Sequence, residues 1–577
     1  MARTVGIGVQ SFEKLINNQY FYIDKTNFIR EWWASGDEVT LITRPRRFGK
    51  TLNMNMLECF FSIQYSDKAE LFENLSIWKE ENYRNIQGTY PVIFLSFADI
   101  KASSMKSARE GIMAVIKEVY KAHSYLLKDD ILDEMEKQTF YTFGQSMNGK
   151  KDLWDKITDT SLTRALKLLM SYMERYYGQK VLVFLDEYDT PLQEAYIYGY
   201  WNELAGFIRS LFNSTFKTNQ HLERALLTGI TRISKESIFS DVNHMEVVTT
   251  TSEKYEDSFG FTEEEVWEAL KEYGLYGERQ KVKDWYDGFT FGKRQDIYNP
   301  WSILNFLDKK KISAYWANTS SNGLVDRLLR RSNRIVKMDM EDLLKGGILR
   351  TRIDEQIIFN QLDKQIDAVW SLLLACGYLR VKSYTVDEIW GRATYEFVLT
   401  NREVRLMFSQ MIEHWFKGFI PEYNDFIRAM LAKDVKSMNI YMNKVALATF
   451  SYFDSGKRPS ENAEPERFFH GFVLGLLVDL ADRYAITSNR ESGFGRYDVM
   501  LEPIQAENDA IILEFKVQDP DEEITLEDTA KAALKQIEDK GYAASLLSKG
   551  FTKRQIQTYG FAFRGKQVLI KSGTSTM

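Results

Sequence analysis

Two apolar runs, each followed by a polar motif, constrain the fold of this chain most strongly. Residues 39–43 form a short apolar run that leads into the loop 44–51 (RPRRFGKT) and then into a helical pattern. Residues 181–185 (VLVFL) form a continuous apolar run that ends in Asp186 and Glu187. Runs of this kind are typical of parallel strands that are buried on both faces of a sheet. The two segments therefore predict an α/β domain in which helices cover both faces of a parallel sheet.

The loop 44–51 has the chemistry of a nucleotide site. A strand, a loop ending in G-K-T and a helix make a P-loop, in which backbone N–H groups and the helix N-terminus hold phosphates. Lys50 is expected to reach the β- and γ-phosphates of ATP, and the Thr51 hydroxyl to bind Mg²⁺. Asp186 is expected to bind this Mg²⁺ through water, and Glu187 to polarise the attacking water. The other residues predicted to bind the nucleotide are Arg46, Arg47, Phe48, Gly49 and, after a later apolar run, Arg232.

The loop departs from a standard P-loop at its first position. Arg44 stands where a glycine usually eases a tight turn, which bears on nucleotide affinity but not on topology. Taken alone, G-K-T also fits a basic loop capped by a helix, and Asp-Glu after a strand also fits a turn or a helix cap. For Arg232, the alternative to sensing the γ-phosphate is a surface salt bridge.

A second group of charged residues lies on a predicted hairpin near the end of the chain. Residues 496–503 (RYDVMLEP) and 510–517 (AIILEFKV) suit two strands joined by a polar turn. Asp498 lies on the first strand, and Glu514 and Lys516 share one face of the second. Two carboxylates can hold Mg²⁺ or Mn²⁺ while phosphate and water complete its shell. The lysine can position the attacking water or offset developing charge.

The alternative to a catalytic hairpin is an exposed edge hairpin that carries a Glu–Lys pair. The other face of the second strand is apolar, with Leu513, Phe515 and Val517, which indicates an internal strand. Internal strands rarely present charged side chains without a use for them. This context favours the catalytic interpretation.

The pattern D-(x)15-E-x-K across a hairpin resembles the PD-(D/E)XK nuclease superfamily, with Tyr497 where the leading proline stands. The resemblance implies that Asp498, Glu514 and Lys516 are catalytic. It also implies a further metal ligand from a preceding helix, for which Glu466 is the candidate. Candidate nucleic-acid contacts are Arg496 beside the hairpin, and Gln536 and Tyr542 on a helix predicted over residues 526–546.

Several long motifs extend the resemblance over nearly the whole chain. They are YIDKT, TRPRRFGKT, VFLDEYDTPL, LTGITRIS, WYDGFTFG with YNPWS, and SNRESGFGRYDVML with EFKV. Together they resemble bacterial AAA-ATPase-like proteins with a C-terminal PD-(D/E)XK nuclease domain, in which an arginine at the first P-loop position is usual. The implied fold is α/β: an AAA-like P-loop NTPase sheet, a mixed α/β middle region and a restriction-endonuclease-like α/β domain.

The expected domains are an ATPase domain over 1–295, a mainly helical connector over 296–455 and a nuclease-like domain over 456–577. The net charge of −6 requires any nucleic-acid contact to use a local basic groove. The two cysteines, Cys59 and Cys376, provide neither zinc spacing nor a disulfide framework.

No stretch of the sequence predicts membrane insertion or export. The first residues lack the apolar run of a signal peptide, and the most apolar segment, 468–480, is too short to span a bilayer. We therefore expect a cytoplasmic protein that makes no membrane contact.

The expected function is ATP-regulated, Mg²⁺- or Mn²⁺-dependent cleavage of nucleic acid, with DNA ahead of RNA as substrate. A homo-oligomer formed through the ATPase domain is a further expectation. The alternative is an ATP-dependent switch, or a protein that binds nucleic acid or a partner with weak or no hydrolysis.

Overall fold

The computed structural model divides the protein into two compact units. One comprises Met1–Ser332 and Gly346–Leu406, and the other Asn333–Lys345 and Met407–Met577. These units do not coincide with the three domains expected from the sequence, whose boundaries stay a prediction. The structure describes residues 2–128, 130–144, 157–232, 238–239, 242, 244–317, 323–332, 334–353, 362, 366–387, 392–417, 423–449, 473, 477, 480, 483–492, 495–505, 507–519, 523–564 and 567–573.

The first unit is built on a five-stranded parallel sheet. Its strands are β1 (Val39–Thr43), β2 (Val92–Ser96), β3 (Val181–Asp186), β4 (Leu222–Gly229) and β5 (Met245–Val248). They lie in the order β2-β3-β4-β1-β5, and every pairing is parallel. All residues of β1 and β3 are buried, as their apolar runs predict. The parallel α/β architecture expected from the sequence is confirmed.

Nine helices accompany these strands in the described part of residues 2–232. They are α1 (Phe12–Asn17), α2 (Asn27–Ser35), α3 (Lys50–Phe61), α4 (Glu81–Arg84), α5 (Met105–Ala122), α6 (Glu134–Gly144), α7 (Asp159–Tyr177), α8 (Thr190–Tyr198) and α9 (Trp201–Phe216). Short 3₁₀ helices here and later in the chain cover Ile63–Tyr65, Ala69–Leu71, Ser76–Lys79, Ser124–Leu127, Tyr276–Glu278 and Lys553–Gln555.

The parallel register brings the polar ends of three strands to one edge of the sheet. Ile42 of β1 pairs with Thr228 of β4, and Leu185 of β3 pairs with Leu227 of β4. Because the carboxyl ends of parallel strands share an edge, Asp186 lies beside Thr228 and near the start of α3. The P-loop therefore connects β1 to α3 at the edge where ligands bind in open α/β sheets.

Two smaller sheets follow within the first unit. β6 (Phe261–Thr262), β7 (Phe289–Phe291) and β8 (Arg294–Tyr298) form one, and β9 (Leu349–Thr351), β10 (Leu379–Val386) and β11 (Ala393–Leu399) form the other. The helices over this stretch of sequence are α10 (Glu263–Glu272), α11 (Arg279–Tyr286), α12 (Pro300–Lys309), α13 (Gly323–Arg331), α14 (Arg334–Leu344, assigned to the second unit), α15 (Ile366–Ala375) and α16 (Arg402–Lys417).

The start of α12 is defined by its local sequence. Asn299 is the N-cap, and its side chain accepts a hydrogen bond from the backbone N–H of Ser302. Pro300 occupies the first helical position, where its missing N–H costs nothing. This cap holds the residues that follow it in a defined position.

The second unit contains a five-stranded mixed sheet. Its strands are β12 (Tyr484–Ser492), β13 (Gly495–Pro503), β14 (Ala510–Val517), β15 (Ile556–Arg564) and β16 (Gln567–Ser572), in sequence order, with only β14 and β15 parallel. Its other described helices are α17 (Tyr423–Leu431), α18 (Val435–Thr449), α19 (Leu526–Asp539) and α20 (Ala544–Ser548). The predicted hairpin is confirmed as β13 and β14, and β14 is internal.

The two faces of β14 have different surroundings. Leu513 and Phe515 pack into an apolar cluster with Phe561 of β15. Ile512, on the opposite face, packs with Ile537 of α19. Since side chains alternate along a strand, Glu514 follows Ile512 on the face that α19 covers.

The prediction of one helix over residues 526–546 is wrong. The helix ends at Asp539, and a separate helix begins at Ala544. Gly541 lies between them with a φ of 63°, a left-handed conformation that cannot continue an α-helix. Tyr542 therefore lies beyond α19 rather than on it.

None of the helices in the described residues combines the length and the apolar content needed to cross a membrane.

Candidate functional site

The P-loop places the ammonium group of Lys50 inside the protein. Gly49 precedes α3 with a φ of 84°, a conformation that glycine adopts without steric cost. Lys50 is the first residue of α3, and its Nζ donates hydrogen bonds to the carbonyls of Arg44 (3.0 Å) and Pro45 (2.9 Å). Burial lowers the pKa of Lys50, and the nearby carboxylate of Glu187 opposes this shift. A cation therefore stands at the start of the helix, where phosphates bind.

The predicted Mg²⁺ ligands Thr51 and Asp186 are in direct contact. Thr51 Oγ1 donates to Asp186 Oδ2 at 2.7 Å, and Thr228 Oγ1 donates to Asp186 Oδ1 at 2.5 Å. Asp186 is buried, which raises the pKa of its carboxyl group, while the two hydroxyls lower it. A carboxylate and a hydroxyl beside a buried lysine are hard oxygen donors that fit Mg²⁺ together with phosphate and water.

A cavity of about 630 Å³ adjoins this cluster. The predicted residues Arg46, Arg47, Phe48, Gly49, Lys50, Thr51 and Glu187 all line it. Glu187 has a φ of 51°, and its Oε2 accepts a hydrogen bond from Thr190 Oγ1 at 3.2 Å. Other parts of the wall come from Gly8, Gln10, Ile23, Trp301 and Leu304. Its volume is within the range of small-ligand sites.

Arg44 points into the protein core. Its Nη1 donates to the carbonyls of Thr43 (3.0 Å) and Thr249 (2.5 Å), and its guanidinium carbon lies 4.5 Å from the ring centre of Phe291. Burial lowers the pKa of Arg44 to about 9. The side chain that replaces the usual glycine therefore joins the end of β1 to residues far along the chain.

Arg232 does not line the cavity beside Lys50. It lines a separate small cavity with Thr43, Thr249 and Ser371. Its predicted contact with the nucleotide stays a prediction.

Sequence reasoning missed Asp189. Its buried Oδ2 accepts hydrogen bonds from the backbone N–H and the hydroxyl of Thr231, at 2.8 and 2.7 Å, and from the backbone N–H of Ile230 at 3.1 Å. It thereby ties the residues after β4 to the start of α8. The signal that could have identified Asp189 is its place three residues after Asp186 and two residues before Pro191.

The second candidate site lies on β13 and β14. Asp498 Oδ2 accepts a hydrogen bond from the backbone N–H of Phe515 at 2.8 Å, and the backbone N–H of Asp498 donates to Glu514 Oε2 at 3.3 Å. Glu514 is only 1% exposed. Burial raises the pKa of Asp498 to about 6, while the Phe515 N–H and the charge of Lys516 lower it. Each carboxylate therefore accepts a hydrogen bond from the backbone of the neighbouring strand, which carries the other.

A residue that follows β14 in the chain contacts one of these carboxylates, that of Glu514. Gln536 of α19 donates from Nε2 to Glu514 Oε1, and the same Nε2 lies 3.2 Å from the hydroxyl of the buried Tyr542. The structure thus joins Gln536 and Tyr542 to Glu514. Glu466 and the side chain of Arg496 lie outside the described residues.

The candidate metal-binding groups at both sites are few in number. In the part of the chain that the structure describes, no three His, Cys, Asp or Glu side chains are grouped to hold a metal ion. Two carboxylates, at Asp498 and Glu514, nevertheless suit Mg²⁺, which keeps waters and takes substrate phosphates as ligands.

Comparisons with known proteins agree with the presence of two different candidate sites, one at the P-loop and one on the hairpin. A family model described as "Predicted AAA-ATPase" matches residues 6–239, and one described as "PD-(D/E)XK nuclease superfamily" matches residues 464–573. The chain is 24% identical over 558 residues to "Uncharacterized protein in vnfD 5'region" of Azotobacter chroococcum mcd 1, covering 94% of each chain.

Among solved structures, the chain is similar to the Aeropyrum pernix ORC2 protein in its ADPNP-ADP complexes. The two chains are 11% identical, the match covers 67% of this chain and 92% of that chain, and the TM-score is 0.22. That TM-score is too low to support an inference. The family matches carry the conclusion that residues 6–239 form an AAA-ATPase-like domain and residues 464–573 a domain of the PD-(D/E)XK nuclease superfamily.

Proposed function

We propose that this chain is an ATP-binding, metal-dependent nuclease whose cleavage of nucleic acid is regulated by ATP. The observation that carries the proposal is that the side chains of Asp498 and Glu514 are each hydrogen-bonded to the other's strand, on the adjacent strands β13 and β14. Lys516 follows Glu514 by two residues on the same face of β14. DNA is the expected substrate ahead of RNA.

Each residue of the hairpin has a separate part in the proposed reaction. Asp498 and Glu514 would hold Mg²⁺ or Mn²⁺, which supplies charge stabilisation and a more acidic water when bound. Lys516 would donate hydrogen bonds to the phosphodiester oxygens, on which charge increases during attack. Gln536 would keep the Glu514 carboxylate oriented through the hydrogen bond described above.

The P-loop cluster supports the ATP-binding half of the proposal. Lys50 would contact the β- and γ-phosphates. The Thr51 hydroxyl would bind Mg²⁺ directly, and Asp186, which accepts a hydrogen bond from that hydroxyl, would bind it through water. Glu187, which lines the same cavity, would orient the attacking water. ATP hydrolysis would depend on Glu187 in addition to the residues that bind ATP.

Cleavage assays on plasmid DNA, single-stranded DNA and RNA, with Mg²⁺ or Mn²⁺ and with or without ATP, test the proposal. Glu514→Gln keeps the shape of the side chain but removes a charged ligand, so we expect cleavage to fall by at least about 100-fold. The matched control is Glu502→Gln on β13, because Glu502 pairs with Lys549 on the exposed surface. Its activity is expected to equal that of wild type.

Equal cleavage by wild type and Glu514→Gln would show that the carboxylate assignment is wrong. ATP binding that Lys50→Ala abolishes, combined with no cleavage of any substrate, would instead support the ATP-dependent switch.

A further inference from the structure

Two neighbouring arginines of the P-loop have different surroundings. Arg47 is exposed, and its guanidinium carbon lies 4.4 Å from the ring centre of Trp301. Arg46 is half-buried and lines the cavity that Lys50 and Glu187 also line. Within the described residues, the guanidinium of Arg46 has neither a hydrogen-bond acceptor nor an ion-pair partner. A charged group in this position has its donors available for a ligand.

The charge of Arg46 acts on the phosphate-binding lysine. It is among the groups that lower the pKa of Lys50, after the larger effect of burial. A guanidinium stays protonated at any physiological pH, so its charge cannot be relieved by losing a proton. Two cations that repel each other in one cavity are both stabilised by an anion that lies between them.

The backbone of Arg46 is held by residues outside the loop. Its carbonyl accepts hydrogen bonds from Trp316 Nε1 at 3.0 Å and from Asn299 Nδ2 at 3.4 Å. The backbone N–H of Trp316 in turn donates to Glu403 Oε1 at 2.6 Å. Asn299 and Glu403 are fully buried. This support fixes the point from which the Arg46 side chain extends, and donors held in place need little reorganisation during a reaction.

We propose that Arg46 contacts the terminal phosphate of ATP and stabilises, within its own chain, the charge that develops there during hydrolysis. The proposal rests on the ATP site proposed above. In the reaction, a water oxygen bonds to the γ-phosphorus as the bond from that phosphorus to the bridging oxygen breaks. ADP and inorganic phosphate form, and the water proton passes to Glu187 and then to solvent.

An arginine in this role comes from the same chain in some nucleotide hydrolases and from a partner protein in others. With Arg46 supplied by the P-loop itself, a single copy of this chain holds the complete set of charges for ATP hydrolysis. The guanidinium fork suits the phosphoryl oxygens because it donates two parallel hydrogen bonds.

Trapping of ADP with aluminium fluoride, which mimics the transferred phosphoryl group, tests the role of Arg46. The full-length protein is compared with Arg46→Ala, Arg46→Lys and, as a control for loss of one positive charge, Arg30→Ala, whose side chain pairs with Glu80 on the surface. Titration with ADP and Mg²⁺ measures nucleotide binding, and the same titration with aluminium fluoride measures the trapped complex.

We expect Arg46→Ala to bind ADP within about threefold of wild type but to lose most of the extra affinity that aluminium fluoride confers. Its rate of ATP hydrolysis should fall on the order of 10³-fold, as for other arginines in this role. Arg46→Lys should recover part of both losses, and Arg30→Ala should match wild type.

Two results overturn the proposal in different ways. If Arg46→Ala traps ADP with aluminium fluoride as tightly as wild type, or if aluminium fluoride adds nothing to ADP binding by wild type, the role of Arg46 is wrong although nucleotide binding stands. If wild type binds neither ADP nor ATP, the proposed ATP site itself is wrong, and the role of Arg46 with it.

Discussion

Asp498 lies where its carboxyl group is hard to ionise. It lies on the internal strand β13 beside β14, and burial raises its pKa from 3.8 to about 6. Because the folded protein then binds this proton more tightly than the unfolded chain, the contribution to stability is fully present below about pH 4. It is lost as the pH rises from about 4 to about 6. A divalent ion bound to the ionised carboxylate would reverse that loss.

We predict that Asp498→Asn is more stable than wild type above pH 6 when no metal is present. The amide keeps the shape of the side chain without its charge, so the difference should approach roughly 3 kcal/mol and vanish near pH 4. Urea unfolding of the full-length proteins between pH 4 and pH 8 measures it, with Glu502→Gln as the control. A difference that does not change with pH would contradict the raised pKa.

The residues around the P-loop show which features of a site can be predicted from one sequence and which cannot. Lys50, Thr51 and Asp186 could be predicted because their motifs are contiguous and each follows an apolar run. The burial of Arg44 could not, because its acceptor, the Thr249 carbonyl, is distant in sequence. Asp189 was missed for the same reason, since its partners follow β4.

At the scale of helices and strands, the P-loop is supported by elements that follow the parallel sheet in the chain. Glu403, in the first turn of α16, accepts hydrogen bonds from Ser302 Oγ at 2.8 Å and from the backbone N–H groups of Trp316 and Ala317. Burial raises the pKa of Glu403 to about 7, while these donors lower it. Ser302 belongs to α12, whose residue Trp301 lines the cavity.

We predict that Glu403→Ala weakens ATP binding by about tenfold, because the shortened side chain would leave the buried backbone N–H groups of Trp316 and Ala317 without their acceptor, each at a cost of about 1–3 kcal/mol. Calorimetric titration with ATP and Mg²⁺ at pH 8 measures the change. Glu272→Ala, which removes a surface pair with Arg3, serves as the control. Unchanged affinity in Glu403→Ala would mean that α16 does not support the loop.

The strands were easier to predict than the helix ends. Continuous or alternating apolar runs mark β1, β3, β13 and β14 because burial imposes a period on the sequence. The break between α19 and α20 depends instead on the left-handed conformation of one residue, Gly541. A single glycine within a helical pattern can be tolerated, so the pattern alone does not locate such a break.

At the scale of the whole molecule, two units carry the two candidate sites. The P-loop cluster belongs entirely to the unit that contains Met1–Ser332, and the carboxylate pair to the unit that contains Met407–Met577. Proteins with more than one compact unit often unfold in more than one step. Ligands can therefore stabilise one unit without the other.

We predict that the protein unfolds in two thermal transitions and that ATP with Mg²⁺ raises the midpoint temperature of only one of them. At an ATP concentration about 100 times the dissociation constant, binding adds roughly 2.7 kcal/mol to the unit that holds the site. Scanning calorimetry measures both transitions, and Lys50→Ala should remove the shift without changing the other transition. A single transition that shifts as a whole would show that the two units unfold together.

The position of β14 between β13 and β15 also determines when the carboxylate pair is enclosed by its full sheet during biosynthesis. Its partner β15 begins at Ile556, so Glu514 emerges from the ribosome well before the strand that encloses its other side. N-terminal domains generally fold first during translation. A nascent chain that stops before residue 556 therefore carries the complete P-loop cluster, whereas its strand β14 still lacks the neighbouring strand β15, so the proposed ATP site is completed before the proposed cleavage site.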